Sequence, residues 1–256
     1  MKSFYAFLRK ERMEQLRTGK VLILLILFTL FGIMNPAIAR LTPWMMEVLS
    51  GSLAEAGMTV TGIMVNALTS WTQFYKNIPL ALLVFVLMMS SIFTAEYQKG
   101  TLVLVFTKGL RRTKVLAAKA LTLLVLWTAV YFLCYGVTYG YTALFWDQAI
   151  MRHLAFTACA YWLFGVWVIS VLLLFSTLST GNTGVLLGTG GTVLASYLLG
   201  LLPGWKPFLP LYLTNSLPLL TGELAASSML RAVAVTLALT ALHTAASIFL
   251  FRRRSI

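Results

Sequence analysis

Six long apolar runs, at 21–39, 78–95, 120–144, 154–178, 185–202 and 229–251, constrain this chain more than any other feature. A helix rises about 1.5 Å per residue and the hydrocarbon core of a bilayer is about 30 Å thick, so roughly 20 mostly apolar residues make one crossing. The runs lack the alternation of barrel strands. A spanning segment must satisfy its own backbone hydrogen bonds, so they are expected to be helices. With 59% hydrophobic and only 11% charged residues, the chain cannot cover its surface with polar groups, and lipid must be its solvent. The expected fold is an all-α integral membrane protein, a single domain over 1–256 with six transmembrane helices. The first run follows a basic stretch like that of a signal peptide. It is too long for one and lacks a small-x-small cleavage site, so it is expected to stay in place.

The net charge of +13 suggests nucleic acid in a soluble protein, but its distribution has a simpler use here. Cytoplasmic loops of membrane proteins collect Lys and Arg. Lys2, Arg9, Lys10, Arg12, Arg17 and Lys20 precede the first run; Lys99, Lys108, Arg111, Arg112, Lys114 and Lys119 lie between the second and third; Arg252, Arg253 and Arg254 follow the last. Both termini and the 96–119 loop are therefore expected in the cytoplasm, and residues 40–77 and 203–228 outside. This pattern points to a multi-pass membrane protein with no nucleic-acid partner; a bacterial plasma membrane is the expected location. Phe4, Phe7 and Leu8 share a helical face from which most of the basic residues turn away, so residues 1–19 read as an interfacial amphipathic helix.

The loop between the last two runs carries Pro203, Pro207, Pro210 and Pro218 among apolar residues, which suggests a pair of outer half-helices buried by protein. The first external loop, 40–77, is expected to hold a helix lying against the outer surface. Trp44, Trp71, Tyr75, Trp146 and Trp205 read as headgroup anchors at outer boundaries. Gly136 and Gly140, then Gly184, Gly188, Gly190 and Gly191, suggest close helix packing. Cys134 and Cys159 fall inside apolar runs and read as small apolar side chains rather than disulfide or metal residues.

The residues also restrict the chemistry. The phosphate-loop pattern G-x-x-x-x-G-K-[ST] is missing, since no lysine follows the glycines near 188–191. All seven acids lie in loops or at the edges of the runs, which disfavours ion-coupled transport. Neither an H-E-x-x-H zinc site nor a set of acids for Mg²⁺ is present, and His243, alone in the last run, is expected to hydrogen-bond a neighbouring helix. The chain is expected to be no enzyme, with no metal or cofactor of its own.

One loop is more than a connector. Between Glu96 and Arg112 stand five consecutive apolar residues, Leu102 to Phe106, bounded by Gly100 and Thr101 on one side and Lys108 and Gly109 on the other. Gly100 and Thr101 can start a short helix and Gly109 can stop it, leaving an apolar plug that needs a partner surface. Here the chain resembles the ABC-2 type permease family. Glu96, Gly100, Thr101, Thr107, Lys108, Gly109, Leu110 and Arg111 match that family's segment leading through a cytoplasmic coupling helix, and Lys119 matches the lysine that opens its third span.

The resemblance implies the transmembrane subunit of an ATP-binding cassette exporter. A second permease subunit, identical or related, would pair with it, and two copies of a separate ATPase subunit would bind ATP and Mg. Glu96, Gly100, Thr101, Leu104, Phe106, Lys108, Gly109 and Arg111 would couple to that ATPase, with Leu104 and Phe106 buried against it. The spans hold few fixed charges and many aromatic and Met side chains, so the expected cargo is an amphipathic peptide or lipid-like molecule. Sodium or glycan export remains an alternative within the family. The runner-up of another class is an integral membrane enzyme or assembly factor.

Overall fold

The computed structural model describes residues 2–55, 65–107 and 109–254, with side chains from Phe4 onward except in 49–64. Among the described residues the chain is all helical, with no strands. The helices are α1 Lys2–Arg17, α2 Lys20–Glu55, α3 Ala67–Met89, α4 Ser91–Gln98, α5 Thr101–Thr107, α6 Arg112–Phe145, α7 Leu154–Leu178, α8 Asn182–Leu199, α9 Ser216–Thr221 and α10 Leu230–Arg253. Five stretches are long and apolar enough to cross a membrane: Lys20–Val48, Ala67–Gln98, Arg112–Phe145, Leu154–Leu178 and Ala226–Arg253. The second of these joins α3 to α4, interrupted only at Ser90, whose hydroxyl turns back to Leu87 O.

The long helices extend well past the expected apolar runs. Helix α2 continues through Leu41, Trp44, Met45 and Val48, and α3 starts at Ala67, capped by Asn66, whose side chain accepts from the Thr69 N–H while Thr69 Oγ1 accepts from the Asn66 N–H. The described parts of 40–77 are thus extensions of the two flanking helices, not a separate helix lying on the surface. Adding residues to an existing helix gains a hydrogen bond for each one fixed, whereas a new helix must be nucleated.

Helix α7 is the most enclosed of the five long stretches and α10 the least. The core around α7 is aromatic. Phe28 and Phe85 pack edge-on to Trp127, Phe74 meets Tyr131, and Tyr131 stacks parallel to Tyr161. Trp71, Phe74, Tyr75 and Ile78 recur at helical spacing and are all buried, so Trp71 and Tyr75 belong to this core and not to a headgroup belt. Trp44 and Trp205 are exposed, as anchors would be. The glycine at 165 leaves room for the Trp127 ring: a Cβ there would lie 2.3 Å from it. Gly188 does the same for Phe175, while Gly136 and Gly140 have nothing within 4 Å of where a Cβ would stand among the described residues.

Several polar groups inside the bundle are paired across helices. Asn77 donates to Asn35 Oδ1 (2.8 Å), Asn35 donates to Thr138 Oγ1 (3.1 Å), and Thr138 donates to Gly32 O (3.1 Å), tying α2, α3 and α6 together. Near the Ala67 end of α3, the Ser70 and Thr142 hydroxyls meet at 2.7 Å. His243 lies 3.2 Å from Ser170 Oγ, the neighbouring-helix contact expected of it. Cys134 and Cys159 are both free.

The proline-rich segment folds into four short pieces rather than two half-helices: 3-10 turns at Lys206–Phe208, Pro210–Thr214 and Ala226–Met229, with α9 among them. Its Leu213, Leu219 and Leu220 are fully buried. Repeated prolines remove the N–H groups a longer helix needs, so the chain settles into single turns whose apolar side chains still reach the core.

Candidate functional site

One end of the bundle gathers the basic segments that are distant in sequence. Helix α1 presents Phe4, Phe7, Leu8, Glu11 and Gln15 on one face and lays it against α6 and the start of α2. This places a carboxylate, Glu11, on the apolar side of an amphipathic helix. Its partner is Lys119 of α6, a fully buried lysine whose Nζ lies 3.1 Å from Oε1 and 3.0 Å from Oε2. The same ammonium donates to Ile92 O at 2.8 Å. It also sits 2.8 Å from Glu96 Oε2, an ion-pair contact outside hydrogen-bonding alignment.

Lys10 completes the cluster from the solvent side, 3.2 Å from Glu11 and 2.8 Å from Glu14, and it also pairs closely with Glu96. The rings of Phe7 and Phe93 lie beneath the two ammonium groups. Partial burial works against the charge on Lys10, but the hydrogen bonds it donates to Glu14 and Glu96, with the attraction of Glu11 and Glu96, outweigh it and raise its pKa. Burial likewise opposes the charge on Glu14, and its bond to Lys10 prevails, holding the carboxyl below its ordinary 4.5. Oxygens of Glu11, Glu14 and Glu96 lie within 4.8 Å of one another, close enough for a cation. Two lysine ammoniums already fill that role, so the cluster is an ion-pair network joining α1, α4 and α6.

From Glu96 the chain runs directly into the segment singled out in the sequence. Gly100 (φ +65°) and Gly109 (φ +81°) both adopt the left-handed conformation and bracket α5, Thr101–Thr107. The end is a Schellman motif: Gly109 N–H donates to Phe106 O (2.9 Å) and Leu110 N–H to Val105 O (3.4 Å). Leu102 is fully buried and pins the helix to the bundle, while Val103 and Leu104 point away from it, Leu104 being 63% exposed. Phe106 is half-buried, its ring 6.3 Å from that of Phe251 and 5.2 Å from the Arg112 guanidinium. Arg111 is exposed at the N-cap of α6. Lys108 lies outside the described residues.

No family model matches the chain, and no curated protein matches it.

The tail closes this end of the bundle. Arg112 donates to Phe251 O at 3.3 Å and also bonds Arg254 O. Arg254 in turn sits over the Tyr97 ring at 4.2 Å, donates to Ser179 O at 3.3 Å and bonds Thr177 O. The first residues of α6, the last of α7, α4 and α10 therefore meet beside α5. Of the sequence-derived residues, Glu96, Gly100, Thr101, Leu104, Phe106, Gly109 and Arg111 all lie in this region. In the sequence Lys10 and Arg254 stand only among the basic residues that set topology, and Glu11 only among the acids outside the apolar runs. Glu11 carried a signal, since it falls seven residues after Phe4 and four after Phe7, on the same face.

Proposed function

We propose that the chain is the membrane-spanning permease subunit of an ATP-driven exporter of the ABC-2 type, crossing the membrane six times with the basic end in the cytoplasm. The observation that carries this reading is α5: a two-turn helix held rigidly by two left-handed glycines and a buried Leu102, yet presenting Val103 and Leu104 outward from a basic collar. A loop that only connected two spans would not keep exposed aliphatic side chains on a fixed platform in water; one that docks a soluble partner would. The Glu96–Lys119–Glu11 cluster gives that platform a stiff mounting, so a push on α5 passes into α4, α6 and α1. In this reading the partner is a separate ATPase subunit carrying ATP and Mg, present in two copies beside a second permease subunit.

The cargo reading is supported by a cavity of about 600 Å³ between α3, α7, α8 and the Pro210–Thr214 turn. Its walls include Pro79, Leu82, Phe164 and Val193, with the hydroxyl residues Tyr75, Tyr161, Thr189, Tyr197 and Thr214 as polar points and no acidic residue. The buried Tyr75 hydroxyl has no partner among the described residues. Such a site suits an amphipathic peptide or lipid-like molecule, and it offers little to sodium or a glycan.

Leu104→Asp tests the docking role, because Leu104 is exposed and its loss disturbs no internal packing. Burying a leucine contributes roughly 1.5–3 kcal/mol, so losing one weakens association about ten- to a hundredfold. The variant is expected to fold and reach the membrane but to lose its ATPase subunit during purification. Full retention of that subunit, with unchanged ATP hydrolysis, would remove α5 from the interface and with it the basis of the proposal.

A further inference from the structure

We propose that a groove between α1 and α6 is a binding site for one anionic glycerophospholipid, a site that stands whether or not the chain is a permease. The groove has a volume of about 560 Å³ and an apolar floor that includes Leu8, Leu121 and Val125. Arg9 and Arg12 line the same groove. Lys10, which lies between them in sequence, is committed to Glu11, Glu14 and Glu96, but neither arginine forms an ion pair among the described residues. Gln15 also lines the groove; it is buried, and its Oε1 has no hydrogen-bond partner.

Charge complementarity and shape select the occupant. An apolar helix laid in the groove would leave two guanidiniums unneutralised, and a soluble anion would leave the apolar floor uncovered. An anionic phospholipid meets both needs: its phosphate takes planar, paired hydrogen bonds from Arg9 and Arg12, and an acyl chain runs along Leu121 and Val125. Gln15 Oε1 is an acceptor, and a headgroup hydroxyl supplies the donor it lacks. The position agrees, because the groove lies where a basic interfacial helix meets the first turns of a spanning helix, the level of the headgroup and acyl boundary.

The test uses the full chain purified in detergent, stripped of lipid, and examined by native mass spectrometry with dioleoyl phosphatidylglycerol, dioleoyl phosphatidylcholine or glycerol 3-phosphate added. One phosphatidylglycerol is expected to stay bound, at least tenfold more tightly than phosphatidylcholine, with no retention of glycerol 3-phosphate. R9Q/R12Q should reduce that binding at least tenfold, while R252Q/R253Q, with the same change in charge at the tail, leaves it within twofold. Val125→Trp, which fills the groove and keeps both arginines, should also abolish it. Equal retention of phosphatidylcholine would reduce the groove to an apolar filler site, and equal loss in the tail variant would reduce it to general charge attraction. Retention by Val125→Trp, or binding of glycerol 3-phosphate alone, would place the lipid elsewhere or replace it by a free anion; each of these results overturns the proposal.

Discussion

Lys119 is the residue on which the basic end depends. It is wholly buried and touches two carboxylates and a backbone carbonyl supplied by two other helices, α1 and α4. A buried ion pair recovers little net stability over a well-packed apolar substitute, yet removing one partner leaves the other charge stranded, at a cost of about 3–5 kcal/mol. Lys119→Met is therefore expected to destabilise the protein by about that amount and to free α1, because Glu11 and Glu96 lose the cation they share. Thermal unfolding in detergent measures the first effect, and tryptic cleavage at Arg9 and Arg12 measures the second. A variant as stable and as protected as the parent would show that Lys10 alone satisfies the acids. At this scale the sequence was legible where a residue type has one use, as at Gly100 and Gly109. It was misleading where a type has two: tryptophan and tyrosine serve both headgroups and cores, and Trp71 and Tyr75 went to the core because they share a face with Phe74 and Ile78.

Among the elements, α5 could be read in advance because its glycine brackets and apolar content are local signals. The extensions of α2 and α3 could not, since residues such as Thr42, Thr72 and Gln73 are equally at home in a surface loop and in a helix that has outrun the bilayer. Helix α8 is the element whose role matters most to the six-span proposal. It has 18 residues, about 27 Å of rise, and is rich in Gly and Thr. Its first residue, Asn182, accepts a close hydrogen bond from Thr94 near the basic end, and it also packs against the Pro210–Thr214 turn. That turn packs against α7 and α10, and Leu220 of the neighbouring α9 accepts from the Arg152 N–H at 3.0 Å, just before α7 begins. In the six-span proposal this helix, joining those two ends, is the additional crossing. Single cysteines at Thr180 and Trp205 in a Cys134→Ser, Cys159→Ser background should accordingly label from opposite faces of sealed vesicles; labelling from one face would reduce the crossings to five.

For the molecule as a whole, the N-terminal helix, the 96–119 loop and the tail, grouped in the sequence by their basic charge, meet at one end of the bundle. The contacts that lock them were not legible, since each joins residues far apart: Arg112 to Arg254, Thr94 to Asn182, Lys119 to Glu11. Under the exporter proposal, the assembled complex should hydrolyse ATP faster with helical amphipathic peptides than with charge-matched peptides lacking an apolar face. Stimulation by sodium alone would assign a different cargo to the same machine. The Glu11–Lys119 pair also sets an order of events at the ribosome. Its partners are 108 residues apart, and at about 5–20 residues per second Glu11 waits roughly 5–20 s for Lys119 to be made. During that interval α1 can rest only on the start of α2, and its full seat exists once the start of α6 has been made.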